Sequence, residues 1–110
     1  MSNTILGSAL PNLPWEEKPK GYVHALWRSS RNPLIGWNPT PNTARIYNSA
    51  PVPFEGGFAG VFRADERHGR AALHAGRSKD GLKFDIDDRK IEWVDENGRP
   101  ATPSYAYDPR

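Results

Sequence analysis

From residue 44 onward, apolar side chains recur at every second position in short runs, and small turn residues separate the runs. A period of two places alternate side chains on one face of a β-strand. Residues 44–53 are predicted as a first strand, with Ile46 and Val52 as apolar members. Glu55-Gly56-Gly57 is a turn signal, and residues 58–64 form a second strand with Phe58, Gly60 and Phe62 on one face. The polar run 65–70, with Gly69 inside it, reads as a loop. Residues 71–78 give a third strand, Asp80-Gly81 the next turn, and residues 82–86 a fourth strand. Asp-Gly between two alternating runs is a hairpin signal, because both residues tolerate positive φ.

Residues 1–43 keep no such period. Pro11, Pro14, Pro19, Pro33, Pro39 and Pro41 recur too often for a continuous helix, since each removes a backbone donor and fixes φ. Tyr22-Val23-His24-Ala25-Leu26-Trp27 is the one segment there that reads as a strand or short helix. Trp15, Trp27 and Trp37 are expected to fasten this arm across a neighbouring domain. The chain therefore divides into an irregular Pro/Trp-rich arm, 1–43, and an all-β part, 44–110. Four short antiparallel strands in about 45 residues have the size of one β-propeller blade. A single blade leaves two open edges and an uncovered face, and no second copy of the unit follows, so the chain reads as an incomplete folding unit.

Composition narrows the function classes. The 110 residues suit at most one small domain, and 25% charged with 36% apolar residues is ordinary for a globular protein. The formal charge is only +2, with Lys and Arg spread along the chain, so the basic stripe of a nucleic-acid binder is missing. Cysteine is absent, which excludes disulfides and thiolate metal sites. No window carries the roughly 18 apolar residues of a membrane-spanning helix, and residues 1–13 lack the pattern of a secretory signal. A cytoplasmic location, with neither membrane nor nucleic acid as partner, is the expectation.

Four segments could carry chemistry. In Asn48-Ser49-Ala50, two poor strand formers sit inside the first strand. Side chains aimed at a ligand explain them, and so does a bulge or strand end. Arg63 and Asp65, two apart, share a strand face. They could grip the vicinal hydroxyls of a sugar by charge-assisted hydrogen bonds, or form a solvated ion pair of little worth. Ser78-Lys79-Asp80-Gly81 reads as a turn whose Ser and Asp side chains cap backbone groups. In Tyr105-Ala106-Tyr107-Asp108-Pro109-Arg110, the proline forces an extended backbone at Asp108. A carboxyl packed by aromatics can act as an acid near neutrality, though a plain C-terminal loop fits the same residues.

Several chemistries drop out. His24, His68 and His74 lie too far apart for a local metal motif. Asp85, Asp87 and Asp88 alternate like calcium ligands but lack the glycine and distal glutamate of a calcium loop. Neither a phosphate-cradling glycine loop nor a G-x-S-x-G elbow is present.

Taken in order, these segments resemble glycoside hydrolase family 130, the mannoside phosphorylases. The similarity runs through Pro11-Asn12-Leu13-Pro14-Trp15-Glu16-Glu17, Trp27-Arg28, Asn32-Pro33-Leu34-Ile35 and Arg45-Ile46-Tyr47-Asn48-Ser49-Ala50. It continues through residues 57–65 and 73–81 to Tyr107-Asp108-Pro109-Arg110.

The resemblance implies a five-bladed β-propeller with the sugar site on its axis, of which this chain supplies the N-terminal arm, the first blade and the start of the next strand. It implies Asp108 as the catalytic acid, with Asn48, Ser49, Arg63 and Asp65 lining the pocket for the non-reducing mannosyl unit and Tyr107 beside the acid. The reaction implied is inverting phosphorolysis of a β-mannoside, of the β-1,4-mannooligosaccharide or mannosylglucose type, to α-mannose 1-phosphate. Inverting hydrolysis needs a second carboxylate to activate water, whereas phosphate, a co-substrate here, is already a competent nucleophile. The family's acid is expected to pass its proton through the 3-hydroxyl of the bound mannose, with no cofactor or metal. Members are much longer, and their phosphate-binding residues lie beyond the positions matched here. The chain is thus expected to be a fragment, inactive alone and completed by the rest of the propeller, with a homo-oligomer left open. A β-mannoside hydrolase of the same family and a non-catalytic sugar-binding propeller fragment are the alternatives.

Overall fold

The first turn of the sheet is set by two residues that accept positive φ, Glu55 at 48° and Gly56 at 75°. A two-residue turn of this hand matches the right-handed twist of the strands it joins. It connects β1 (Thr43–Phe54) to β2 (Gly57–Glu66), which pair antiparallel from Phe54↔Gly57 onward. β3 (Ala71–Ser78) and β4 (Asp85–Lys90) follow, giving one open four-stranded sheet in the order β1-β2-β3-β4. The computed structural model describes residues 15–105 and 107–110. The segment Pro11-Asn12-Leu13-Pro14 of the family resemblance lies outside the described residues.

Alternation gives the sheet a packed face and an open face. Phe58, Phe62 and Ala64 of β2 are buried on the packed face, beside Ala72, His74 and Ser78 of β3. Gly76 stands in register with Gly60 and Ile86, and a Cβ there would lie 2.7 Å from both the Phe62 ring and Ile86 Cδ1. Only glycine lets the Phe62 ring lie flat against β3 at that point. Phe84 then meets Phe62 edge-on, with ring centroids 5.5 Å apart. His74 is fully buried, and its Nδ1–H donates to the Asp87 carbonyl at 2.8 Å. Asn42 donates its backbone and side-chain N–H groups to Asp88 at 2.8 and 2.6 Å, tying the entrance of β1 to β4 across this face.

The predicted fourth strand, 82–86, is corrected to Asp85–Lys90. Ser78 Oγ accepts from Gly81 N at 2.8 Å, and Asp80 Oδ1 accepts from Leu82 N and Lys83 N at 2.9 and 3.0 Å. Backbone donors taken by a side-chain turn are not free for a ladder. Pairing with β3 therefore starts only at Arg77↔Asp85. The capping role read for Ser78 and Asp80 is the one observed.

Segment 22–27 is neither strand nor helix. The Tyr22 ring packs edge-on against Trp27 and His24, at 5.0 and 5.3 Å, while its hydroxyl donates to the Leu26 carbonyl. These local contacts curl the backbone. Glu16 accepts from Ser29 Oγ and Ser30 N at 2.7 and 2.9 Å, closing a second loop of the arm. Trp15 and Trp37 remain 71% and 73% exposed, so the described part of the chain does not bury them. Beyond β4, residues 93–101 form a small hairpin with one bridge, Val94↔Pro100, and the described residues after it contain no strand.

Candidate active site

Arg63 and Asp65 reach the open face of β2, as their spacing requires. Counting back from the Glu55-Gly56 turn places Asn48 opposite Arg63, and the register is Asn48↔Arg63. Strict continuation would set Ile46 opposite Asp65. Instead the register shifts between Ile46 and Asn48, and Arg45 pairs with Asp65. Tyr47 is the extra residue of this β-bulge, a device that re-aims a side chain. As a result Arg45, Tyr47 and Asn48 all serve the face that carries Arg63 and Asp65.

Arg63 is the hub. Its Nη1 donates to Asp108 Oδ1 at 2.5 Å and, more distantly, to Asn48 Oδ1 at 3.4 Å. Its Nη2 donates to the Tyr105 hydroxyl at 2.6 Å. The guanidinium carbon lies 5.5 Å from the Tyr47 ring centre and 5.3 Å from that of Tyr105, within cation–π range of both. Hydrogen bonding to Asp108, followed in weight by the nearby Tyr105, holds the Arg63 pKa above its ordinary value. Arg63 Nε is buried and has no hydrogen-bond partner among the described residues.

Asp65 does not pair with Arg63. Its Oδ2 accepts from the Tyr47 hydroxyl at 2.7 Å and from Arg45 Nε and Nη2 at 3.0 and 2.9 Å. The Tyr47 bond, chiefly, and then Arg45 hold the Asp65 carboxyl below its ordinary range, against the opposing effect of partial burial. The same bond raises the Tyr47 hydroxyl.

The structure thus brings Asn48, Arg63 and Asp108 into one bonded group, with Asp65 alongside. Ser49 is placed elsewhere: it is in register with Phe62, on the other side of the sheet from Arg63. Tyr107 is 76% exposed and touches the cluster through an edge-on contact with Tyr105, ring centres 4.9 Å apart. The Asp108 side chain is 43% exposed and ion-paired with Arg63. Arg63 on the open face takes both the Asp108 carboxylate and the Tyr105 hydroxyl as partners. Arg45, Tyr47 and Tyr105 complete the cluster and were not singled out from the sequence. Arg45 and Tyr47, two apart and both exposed in a strand, carried the signal, but the bulge that directs them did not.

Tyr105, Tyr107 and Asp108 also wall an open groove of about 950 Å³ on this face. Its floor is apolar, from Ala50, Val52 and Val61. Ion-pair donors beside an apolar and aromatic wall suit a polyhydroxylated ring, which has both hydroxyl edges and C–H faces.

The family model for glycoside hydrolase 130, described as beta-1,4-mannooligosaccharide phosphorylase, matches residues 8–110. A beta-1,4-mannooligosaccharide phosphorylase of Ruminococcus albus is 43% identical over 114 aligned positions, covering 96% of this chain and 33% of that protein. The chain spans about a third of the length of this curated relative. On the match over residues 8–110, the chain belongs to glycoside hydrolase family 130.

Proposed function

We propose that this chain forms the mannosyl-binding part of an inverting β-mannoside phosphorylase acting on β-1,4-mannooligosaccharides. The observation that carries the reading is the bonded group of Arg63, Asn48 and Asp108 at the edge of an open groove. The likeness to a β-1,4-mannooligosaccharide phosphorylase supports it. In this reading the sheet is one blade of a five-bladed β-propeller, consistent with its four-stranded antiparallel meander. Asn48, Arg63 and Asp65 hold hydroxyls of the mannosyl ring, Asp108 is the acid, and Tyr107 flanks the acid. Ser49 enters this set by the family likeness alone, since its register with Phe62 sets it on the other side of the sheet from Arg63.

The chemistry follows from these roles. A phosphate oxygen attacks the anomeric carbon from the face opposite the leaving oxygen, so the C1–O bond breaks as the C1–O–P bond forms. The leaving oxygen takes the proton of the 3-hydroxyl, which is replaced from Asp108. Phosphate needs no base, so one carboxyl group suffices where water would need two. Asp108 must be protonated when the bond breaks, yet in the structure it pairs with Arg63. Sugar hydroxyls must therefore take over the Arg63 donors, which couples binding to release of the acid. The reaction needs no cofactor besides inorganic phosphate as co-substrate. A charged sugar phosphate is retained by a membrane, which suits a cytoplasmic enzyme.

The test is formation of mannose 1-phosphate from β-1,4-mannobiose and phosphate by the protein expressed from its complete gene. The wild type is expected to form it. Asp108→Asn, which keeps the shape but cannot supply the proton, should lower kcat by about 10²–10⁴. Free mannose released without phosphate would establish the hydrolase instead. Retained mannobiose binding with no turnover by the wild type would establish a sugar-binding module.

A further inference from the structure

The open face carries an alternating stack of rings and guanidinium groups. Arg45 lies between Trp37 and Tyr47, 5.8 and 4.7 Å from the ring centres. Arg63 lies between Tyr47 and Tyr105, at 5.5 and 5.3 Å. Among the described residues Tyr47 is the one ring shared by both guanidinium groups, and it is also the residue that the β-bulge of β1 displaces from the ladder. Its hydroxyl donates to Asp65 at 2.7 Å. Both Arg45 and Tyr47 bind the same oxygen, Oδ2, so among the described residues Oδ1 of Asp65 is left to accept a further hydrogen bond.

We propose that Tyr47 is a positioning residue of the sugar site, which orients Asp65 through its hydroxyl and Arg63 through its ring. This rests on the proposed function above. A carboxylate with two oxygens and four acceptor sites can swing between donors. Fixing Oδ2 with two donors from β1 turns Oδ1 in one direction, toward a hydroxyl of the bound sugar. The guanidinium of Arg63 gains a similar benefit, because the Tyr47 ring within cation–π range adds a contact to the bonds it makes with Asp108 and Tyr105. A phenol and a guanidinium stack this way because the negative face of the ring attracts the cation. The bulge explains why a tyrosine can serve both partners: without it, position 47 would point to the packed face.

Two substitutions separate the two contributions. Tyr47→Phe keeps the ring and removes the bond to Asp65, while Tyr47→Leu removes both. In the complete gene product, Tyr47→Phe is expected to raise the KM for mannobiose about tenfold, the scale of one lost bond to a charged group, with kcat little changed. Tyr47→Leu should raise KM further and lower kcat as well, because Arg63 then loses its alignment. A merely structural role would do the reverse, lowering kcat with the folded fraction at unchanged KM.

A second readout does not depend on turnover. The Asp65 carboxyl carbon, followed by ¹³C NMR across an acid titration, should change at higher pH in Tyr47→Phe than in the wild type. An unmoved Asp65 titration together with an unchanged KM would overturn the proposal. If the wild type acts on no mannoside, the proposed function fails. The NMR titration then decides alone whether Tyr47 sets Asp65.

Discussion

Phe62 and Arg63 are neighbours on β2 and lead to opposite faces, which solve different problems with the same strand. Phe62 is 1% exposed, seated over Gly76 and edge-on to Phe84, so its worth lies in apolar contact and shape. Arg63 is held instead by directional bonds, to Asp108, Tyr105 and Asn48. The packed face is tuned by volume. The open face is tuned by orientation, through ion pairs and hydrogen bonds of set direction. Such a division predicts that stability and activity will respond to different members of one strand.

The largest effect is expected on the packed face. Phe62→Ala removes a buried ring and should destabilise the protein by about 3–5 kcal/mol, measured by urea unfolding of the complete gene product. Whatever folds should keep its KM for mannobiose. A large change in KM with unchanged unfolding would break the distinction between the faces. On the open face, Arg63→Lys keeps the charge but loses the planar fork that reaches Asp108 and Tyr105 together. Its kcat/KM should fall by about ten- to a hundredfold, the scale of one or two bonds to a charged group, with the unfolding midpoint nearly unmoved.

The two faces were not equally legible. The packed face follows from alternation alone, because Phe58 and Phe62 set its period and Gly56 its turn. Arg63, Asp65 and Asn48 were also within reach, since a two-residue turn fixes which residues stand opposite each other. Tyr47 was not, because a bulge breaks the very count on which such reasoning depends. Ser49 was grouped with Asn48 by adjacency and by family likeness, while the pleat sends adjacent side chains to opposite faces. Asp108 lies beyond any period in the chain; Pro109 and the tyrosines before it marked the carboxyl as a candidate, and the resemblance gave it a role. The Val94↔Pro100 hairpin had a readable signal in Asp95-Glu96-Asn97-Gly98, where Asp95 Oδ1 accepts from Asn97 N and Arg99 N. The start of β4 was misplaced because Asp80-Gly81 suggests a two-residue turn, while the Asp80 carboxylate holds a longer loop.

That loop gives the smallest and most pH-dependent expectation. Backbone N–H groups of Lys83 and then Leu82 hold the Asp80 carboxyl below its ordinary value. A carboxyl lowered by folding adds stability that is fully present above its unfolded pKa, near 3.8, and is lost as pH falls through the lower folded value. Asp80→Asn keeps an acceptor oxygen for both donors but carries no charge. At neutral pH it should unfold slightly earlier than the wild type, and the gap should close as pH drops below that point. Asp80→Ala, which keeps no acceptor, should retain a gap even in acid, because its donors stay unpaired at every pH. Thermal unfolding of the three proteins between neutral pH and pH 3 measures both. A gap for Asp80→Asn that does not change with pH would show that the loop depends on the shape of residue 80 rather than its charge. β4 would then owe its place to the contacts of Phe84 and Ile86 and to the bonds of Asp87 and Asp88 with His74 and Asn42, not to the charge of Asp80.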